Sequence, residues 1–121
     1  MISTAEIGRR GEEAATAYLR GNGFLICDKN WRSGRYEIDI VAQRYGITHF
    51  IEVKTRKVGS LVKPEDSITS NKTSALRHAV AAYIAQRHII GDIEIDLVAV
   101  DMFPDGSCDI RFIENIAEHS W

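Results

Sequence analysis

Two segments place charged residues where the flanking sequence is strand-like and apolar: Tyr36-Glu37-Ile38-Asp39-Ile40-Val41 and Phe50-Ile51-Glu52-Val53-Lys54. Side chains alternate along a strand, so Glu37, Asp39 and Val41 share one face, as do Phe50, Glu52 and Lys54. If Tyr45-Gly46 forms a tight reversal, pairing symmetric about it sets Asp39 opposite Glu52 and Glu37 opposite Lys54 on a common face. Carboxylates directly across an antiparallel pair repel, unless a cation lies between them or one takes a proton. A turn longer or shorter by one residue would send Asp39 and Glu52 to opposite faces, so strand register tests the constellation.

A third acid comes from the amino-terminal segment. Glu12 follows Gly8 and Gly11 on a helical pattern and lies at the margin of its apolar face, whereas Glu13 points away. Each glycine costs roughly 1 kcal/mol relative to Ala inside a helix, so something is expected to approach closely there, a strand or a phosphate backbone. Asp39, Glu52 and Glu12 offer oxygen ligands suited to Mg²⁺ or Mn²⁺. Lys54 would stand beside such a metal, orienting a water or offsetting charge on a phosphate.

Gly8-Arg9-Arg10-Gly11-Glu12, Glu37-Ile38-Asp39 and Glu52-Val53-Lys54-Thr55-Arg56, continuing through Lys72 and Ala81-Ala82-Tyr83 to Asp96-Leu97-Val98-Ala99-Val100, together resemble the YraN-like family of uncharacterised bacterial proteins. That family is assigned to the PD-(D/E)XK nuclease superfamily, with restriction-endonuclease-like and archaeal Holliday-junction-resolvase relatives. The resemblance implies a metal-dependent endonuclease acting on DNA or structured nucleic acid. Asp39 takes the place of the motif aspartate, Glu52 and Lys54 those of the (D/E)XK pair, and Glu12 that of the helix-borne acid, with Lys72 an accessory phosphate contact. Ile38 stands where the motif has proline, and Tyr36 where glycine is more usual. The literal Pro104-Asp105 falls in a turn and is a decoy.

These residues must be positioned by surrounding elements. Ser3 with Glu6 matches a capping box for a helix from about Thr4 to Arg20, closed by Gly21-Asn22-Gly23;. Its apolar and small positions Ile7, Gly8, Gly11, Ala14, Ala15, Tyr18 and Leu19 form the packing face; Thr16 falls opposite. Strands are expected over Phe24–Trp31, Tyr36–Arg44 and Ile47–Thr55, then a polar loop over Arg56–Ile68. A second helix capped by Thr69 or Ser70 runs to about His88, followed by strands over Ile93–Met102 and Cys108–Asn115;. The order αβββαββ implies an α/β fold, a restriction-endonuclease-like core with a mixed sheet flanked by helices.

At 121 residues, 45% apolar and 26% charged, the chain is sized for one globular domain, and disordered or fibrous classes are excluded;. The net charge of -2 conceals an asymmetry: residues 1–90 carry 14 Lys and Arg against 9 Asp and Glu, and residues 91–121 carry 1 against 8. Arg32, Arg35 and Arg56 flank the acidic strands and are candidates, with Lys72, for holding a phosphate backbone. Trp31 and Tyr45 could stack bases, although core or turn packing is the commoner use. The four histidines show no ligand spacing and Cys27 and Cys108 no CxxC context, so zinc is not expected;. Asp92, Glu94 and Asp96 alternate with Ile93, Ile95 and Leu97 and read as a half-exposed strand.

Without a leader or long apolar run, the expected compartment is the cytoplasm, with reduced thiols and no membrane partner. The expected partner is nucleic acid, DNA first. A non-catalytic nucleic-acid-binding module on the same fold is the alternative from another class, and a Holliday junction resolvase in the strict sense would require a homodimer.

Overall fold

The computed structural model describes residues 2–59 and 70–116, the side chains of 70–73 excepted. The elements follow in the order α1 (Thr4–Gly21), β1 (Leu25–Ser33), β2 (Tyr36–Arg44), β3 (Ile47–Lys57), α2 (Ser70–Arg87), β4 (Ile93–Met102) and β5 (Cys108–Ile113). The expected αβββαββ order is therefore the observed one. β3 continues through Arg56 and Lys57, which the sequence placed in a loop; most of that loop, with Thr69, lies outside the described residues.

The strands form a five-stranded sheet in sequence order, antiparallel throughout except for the β3–β4 pair, which is parallel. A parallel pair needs a crossover, and α2 occupies it. α1 covers one face of the sheet, where Ala15 and Leu19 pack with Phe24, Ile40, Ile51, Val53, Val98 and Val100. α2 covers the other through Leu76, Ala79, Val80 and Tyr83, against Ile38, Val41, Phe50 and Leu97.

Ser3 caps α1 as expected, its hydroxyl accepting the Glu6 amide N–H at 3.1 Å. The packing face differs in detail. Thr16, expected to point outward, is buried and satisfies its hydroxyl on the Glu12 carbonyl at 2.8 Å. A Cβ at Gly11 would lie 1.7 Å from Thr55 Oγ1, whereas one at Gly8 would meet nothing within 4 Å. Close approach by a strand therefore explains Gly11, whereas no strand approaches Gly8, which is exposed.

Besides a register shift between Ile26 and Asp28 on β1, a reversal of the pleat shapes the sheet. Ile40 and Ala42 face α1 and Val41 faces α2, so strict alternation would turn Ile38 toward α1;. Ile38 instead joins the α2 side. On β1, Lys29 pairs with Ile40 and Trp31 with Ile38, while the residue between, Asn30, takes the left-handed φ of 53°. The pleat thus reverses at Asn30 and Asp39. Trp31 is carried onto the α2 core, its ring edge-to-face with Tyr83 at 5.1 Å, so packing rather than base stacking uses it.

Candidate active site at a fork in the sheet

β2 and β3 pair in the register expected from the Tyr45-Gly46 reversal, Arg44 with Ile47 through Ile40 with Ile51. The ladder then stops, although both strands go on. Below the last pair β2 remains on β1, through Ile38 with Trp31 and Glu37 with Arg32, while β3 remains on β4 from Glu52 through Lys57. The two central strands part at Asp39 and Glu52.

That fork leaves a backbone donor on β3 without a strand partner, and Asp39 takes it: Val53 N–H donates to Asp39 Oδ2 at 2.8 Å;. The carboxyl group is pinned in the gap and half-buried. Burial, then the charge of Glu52, with smaller contributions from Glu12 and Glu37, pushes Asp39 up to about 8, against the opposing pull of the Val53 hydrogen bond;. Asp39 thus feels three other carboxylates at once, one from α1, one from β2 and one from β3. Beside them, Lys54 Nζ lies 3.4 Å from Glu52 Oε1, both side chains about one-quarter exposed. A desolvated carboxylate cluster with an adjacent ammonium suits a hard divalent cation and an anionic ligand.

The expected opposition of Glu37 and Lys54 does not form, because the ladder ends before reaching them. Glu37 pairs instead with Arg32 across β1 and β2, at 3.4 Å. Arg32 and Arg35 are exposed beside this end of the sheet, and Arg35 donates to the Tyr36 hydroxyl at 3.2 Å. Tyr36 in turn stacks on His78 of α2, with ring centroids 5.0 Å apart. Arg56 is engaged with Asp101 of β4 at 2.6 Å, which holds its guanidinium on the sheet. The side chain of Lys72 lies outside the described residues. Tyr45 sits in the hairpin turn, 89% exposed.

A second polar group escaped sequence reasoning. Asp96 is fully buried and His49 nearly so, which corrects the half-exposed reading at Asp96, while Asp92 is exposed and Glu94 half-buried. Parallel pairing sets His49 beside Glu94 and Ile51 beside Asp96. His49 Nδ1 lies 2.6 Å from Asp96 Oδ2 and 3.3 Å from Glu94 Oε2, and Asp96 Oδ1 accepts the Asn115 N–H at 3.0 Å. Burial first, then Asp96, raises Glu94 to about 7; burial raises Asp96 to about 6 and holds His49 below its ordinary value. His49, Glu94 and Asp96 form a group able to hold a metal ion, their ligand atoms all within 4.8 Å of one another. Spacing along β4 brings Glu94 and Asp96 together, but the third member, His49, comes from β3 and is not visible in that spacing.

Cys27 and Cys108 are both free thiols, in keeping with the cysteine reading. No described helix is long and apolar enough to cross a membrane.

Residues 11–100 match the uncharacterised protein family UPF0102, a span holding Glu12, Asp39, Glu52 and Lys54. A UPF0102 protein of Porphyromonas gingivalis is 38% identical over 101 residues, covering 84% of this chain and 75% of the relative. One of Bacteroides thetaiotaomicron is 37% identical over 100 residues, with 83% of each chain covered. A UPF0102 protein of Lawsonia intracellularis is 37% identical over 86 residues, 71% of this chain, which spans just under two thirds (65%) of that relative's length.

Proposed function

From a chain that belongs to the UPF0102 family, the YraN-like branch of the restriction-endonuclease-like superfamily, we propose a metal-dependent endonuclease that hydrolyses phosphodiester bonds in DNA or a structured nucleic acid. The observation that carries this reading is the fork: just past the last β2–β3 pair, Asp39 is held within electrostatic reach of Glu52, with Glu12 adding its charge from α1 and Lys54 beside Glu52. Three carboxylates around a desolvated fourth cost a sheet stability until a cation joins them, which favours a metal-binding role over a purely structural one;.

Asp39 and Glu52 would hold Mg²⁺ or Mn²⁺, and Glu12 would complete the shell or fix one of its waters. The bound ion would supply Lewis acidity toward the phosphoryl oxygens and a water of lowered pKa. The Val53 N–H keeps the Asp39 carboxylate in one orientation, so that little reorganisation remains when the site is loaded;. Lys54 orients the attacking water and offsets the charge that develops on the phosphate. Arg32 and Arg35 on the neighbouring strand end hold the incoming backbone and fix its register, without reading bases.

The test is cleavage of labelled duplex, single-stranded, flapped and junction DNA and of RNA, with Mg²⁺, with Mn²⁺ and with chelator. Asp39→Asn, Glu52→Gln and Lys54→Ala should each lower the rate at least roughly 100-fold while circular dichroism stays native. Equal cleavage by the triple variant would sink the proposal. Salt-sensitive nucleic-acid binding without cleavage or Mg²⁺ binding would assign the fold to a binding module instead.

A further inference from the structure

We infer that His49, Glu94 and Asp96 form a second, structural metal site away from the fork, taking a borderline first-row cation with zinc preferred. His49 shares its face with Ile51 and Val53 on the α1 side, whereas Glu52 and Lys54 share the face of Phe50 on the α2 side;. His49 and Glu52 are also three residues apart on β3, roughly 10 Å along the strand. The two sites are therefore separate and would take different metals. The fork offers carboxylate oxygens alone, which suit Mg²⁺ or Mn²⁺; the second group adds an imidazole nitrogen, which shifts preference toward zinc.

Four features of the group favour a ligand set over a chance polar cluster. The donor atoms converge from two strands and are already at 2.6 and 3.3 Å from His49 Nδ1, so only small movements would bring all three onto one cation. The members are oriented from behind: Asp96 Oδ1 is held by the Asn115 N–H, as ligating carboxylates commonly are;. The surroundings are dry, with Phe24 edge-on to the His49 ring at 5.0 Å and Phe112 at 6.4 Å. Charge is the fourth: Glu94 and Glu114 act on His49, Asp96 and Glu114 act on Glu94, Glu114 acts on Asp96, and the cation that acts on His49 and Asp96 is Arg44. Arg44 is already committed to the Asn22 carbonyl at 3.0 Å and to the Phe24 ring at 4.0 Å. Three carboxylates against one guanidinium leave a local deficit that a divalent ion matches.

The side chain of Glu94 is 17% exposed and gives the site its opening to solvent. Three protein ligands leave a position for water there. On loading, the proton shared by His49 Nδ1 and Asp96 would leave to solvent and the neutral ring would keep its one proton on Nε2, so that Nδ1 presents its lone pair;. The ion would tie β3 to β4 and, through Asn115, to the segment that follows β5.

The experiment uses the full chain with Cys27→Ser and with Asp39→Asn and Glu52→Gln, which removes the exposed thiol and the fork site. After stripping with chelator, Zn²⁺ is titrated by calorimetry and Co²⁺ by visible absorption, with melting temperature followed in parallel. The expected result is one equivalent of Zn²⁺, Co²⁺ bands of a coordination number below six, and a higher melting temperature. His49→Gln should weaken Zn²⁺ binding roughly 100-fold or more and abolish those bands. Glu94→Gln, at the half-buried edge, serves as the second variant should His49→Gln not fold, and should weaken binding at least 10-fold. No stoichiometric Zn²⁺ in the background protein, or binding unchanged by Glu94→Gln, overturns the inference. Neither outcome bears on nuclease activity, which rests on the intact fork.

Discussion

Asp39→Asn should make the metal-free protein more stable at alkaline pH while disabling the site. The substitution removes a charge and keeps a side-chain carbonyl that can accept the Val53 N–H now bound by Asp39 Oδ2 at 2.8 Å. The Asp39 carboxyl is raised from 3.8 to about 8, first by burial and then by Glu52. A carboxyl group raised on folding favours the folded state in its neutral form. Its contribution is complete below the ordinary carboxylate range and is lost as pH rises from about 4 to about 8. At about 1.4 kcal/mol per pH unit, that span sets an upper bound of about 5 to 6 kcal/mol. Solvent reaches the half-buried gap, and Glu52, Glu12 and Glu37 can move apart or take up the proton instead, so about 1 to 3 kcal/mol is expected.

Urea denaturation followed by circular dichroism, from pH 5 to pH 9 with chelator, reads this directly. The wild-type midpoint should fall with pH while that of Asp39→Asn stays flatter, the variant being the more stable at pH 8 and the two converging near pH 5. Saturating Mg²⁺ should then reverse the order, stabilising the wild type by about 1 to 3 kcal/mol and the variant far less. If Asp39→Asn is the less stable protein at pH 8 in chelator, or if Mg²⁺ raises both equally, the electrostatic account of the fork is wrong.

Two other outcomes follow from particular contacts. Gly11→Ala should destabilise by about 2 to 4 kcal/mol in thermal or urea unfolding, since its Cβ would fall 1.7 Å from Thr55 Oγ1 and α1 would have to lift from β3;. Gly8→Ala, meeting nothing within 4 Å, should stabilise by about 0.5 to 1 kcal/mol through helix propensity alone;. Equal effects at the two positions would contradict the observed approach of helix and strand. For nucleic-acid binding, replacing both Arg32 and Arg35 with Ala should lower the slope of log affinity against log salt by about 2, uniformly across sequences. An unchanged slope in fluorescence anisotropy would remove these residues from the interface.

The sequence carried the element order because its punctuation was explicit: the Ser3 cap, the Gly21-Asn22-Gly23 stop and the Tyr45-Gly46 reversal each lie at an observed boundary. It also carried the β2–β3 register, since a tight turn fixes every pair above it;. The point where pairing stops was not visible. Nothing local to Asp39 marks the pleat reversal shared with Asn30 on another strand, nor the end of the β2–β3 ladder that leaves Glu37 with Arg32 rather than Lys54. Gly8 and Gly11 look alike in sequence, yet only one lies against Thr55, because α1 packs on the sheet from Gly11 through Leu19 and Gly8 lies beyond that contact.

Asp96 shows why alternation misled. Apolar residues at every second position describe a strand with one wet face only when the sheet is open on that side. β4 lies inside a sheet covered by α1 on one face and α2 on the other, so its second face is also dry at Asp96. Parallel pairing with β3 was already implied by the intervening helix, and it makes β4 an interior strand whose acids must find partners. The same physics governs both buried aspartates. Asp39 accepts the Val53 N–H where β3 loses β2, and Asp96 accepts the Asn115 N–H just past the last pair of β4 with β5. At each place a strand partner is missing, a backbone donor is exposed, and a carboxylate fills the vacancy. Having done so, it is desolvated and crowded by other acids, which is the condition for recruiting a cation. The ends of the ladders, more than any acidic spacing along the chain, thus set where the two proposed metal sites lie.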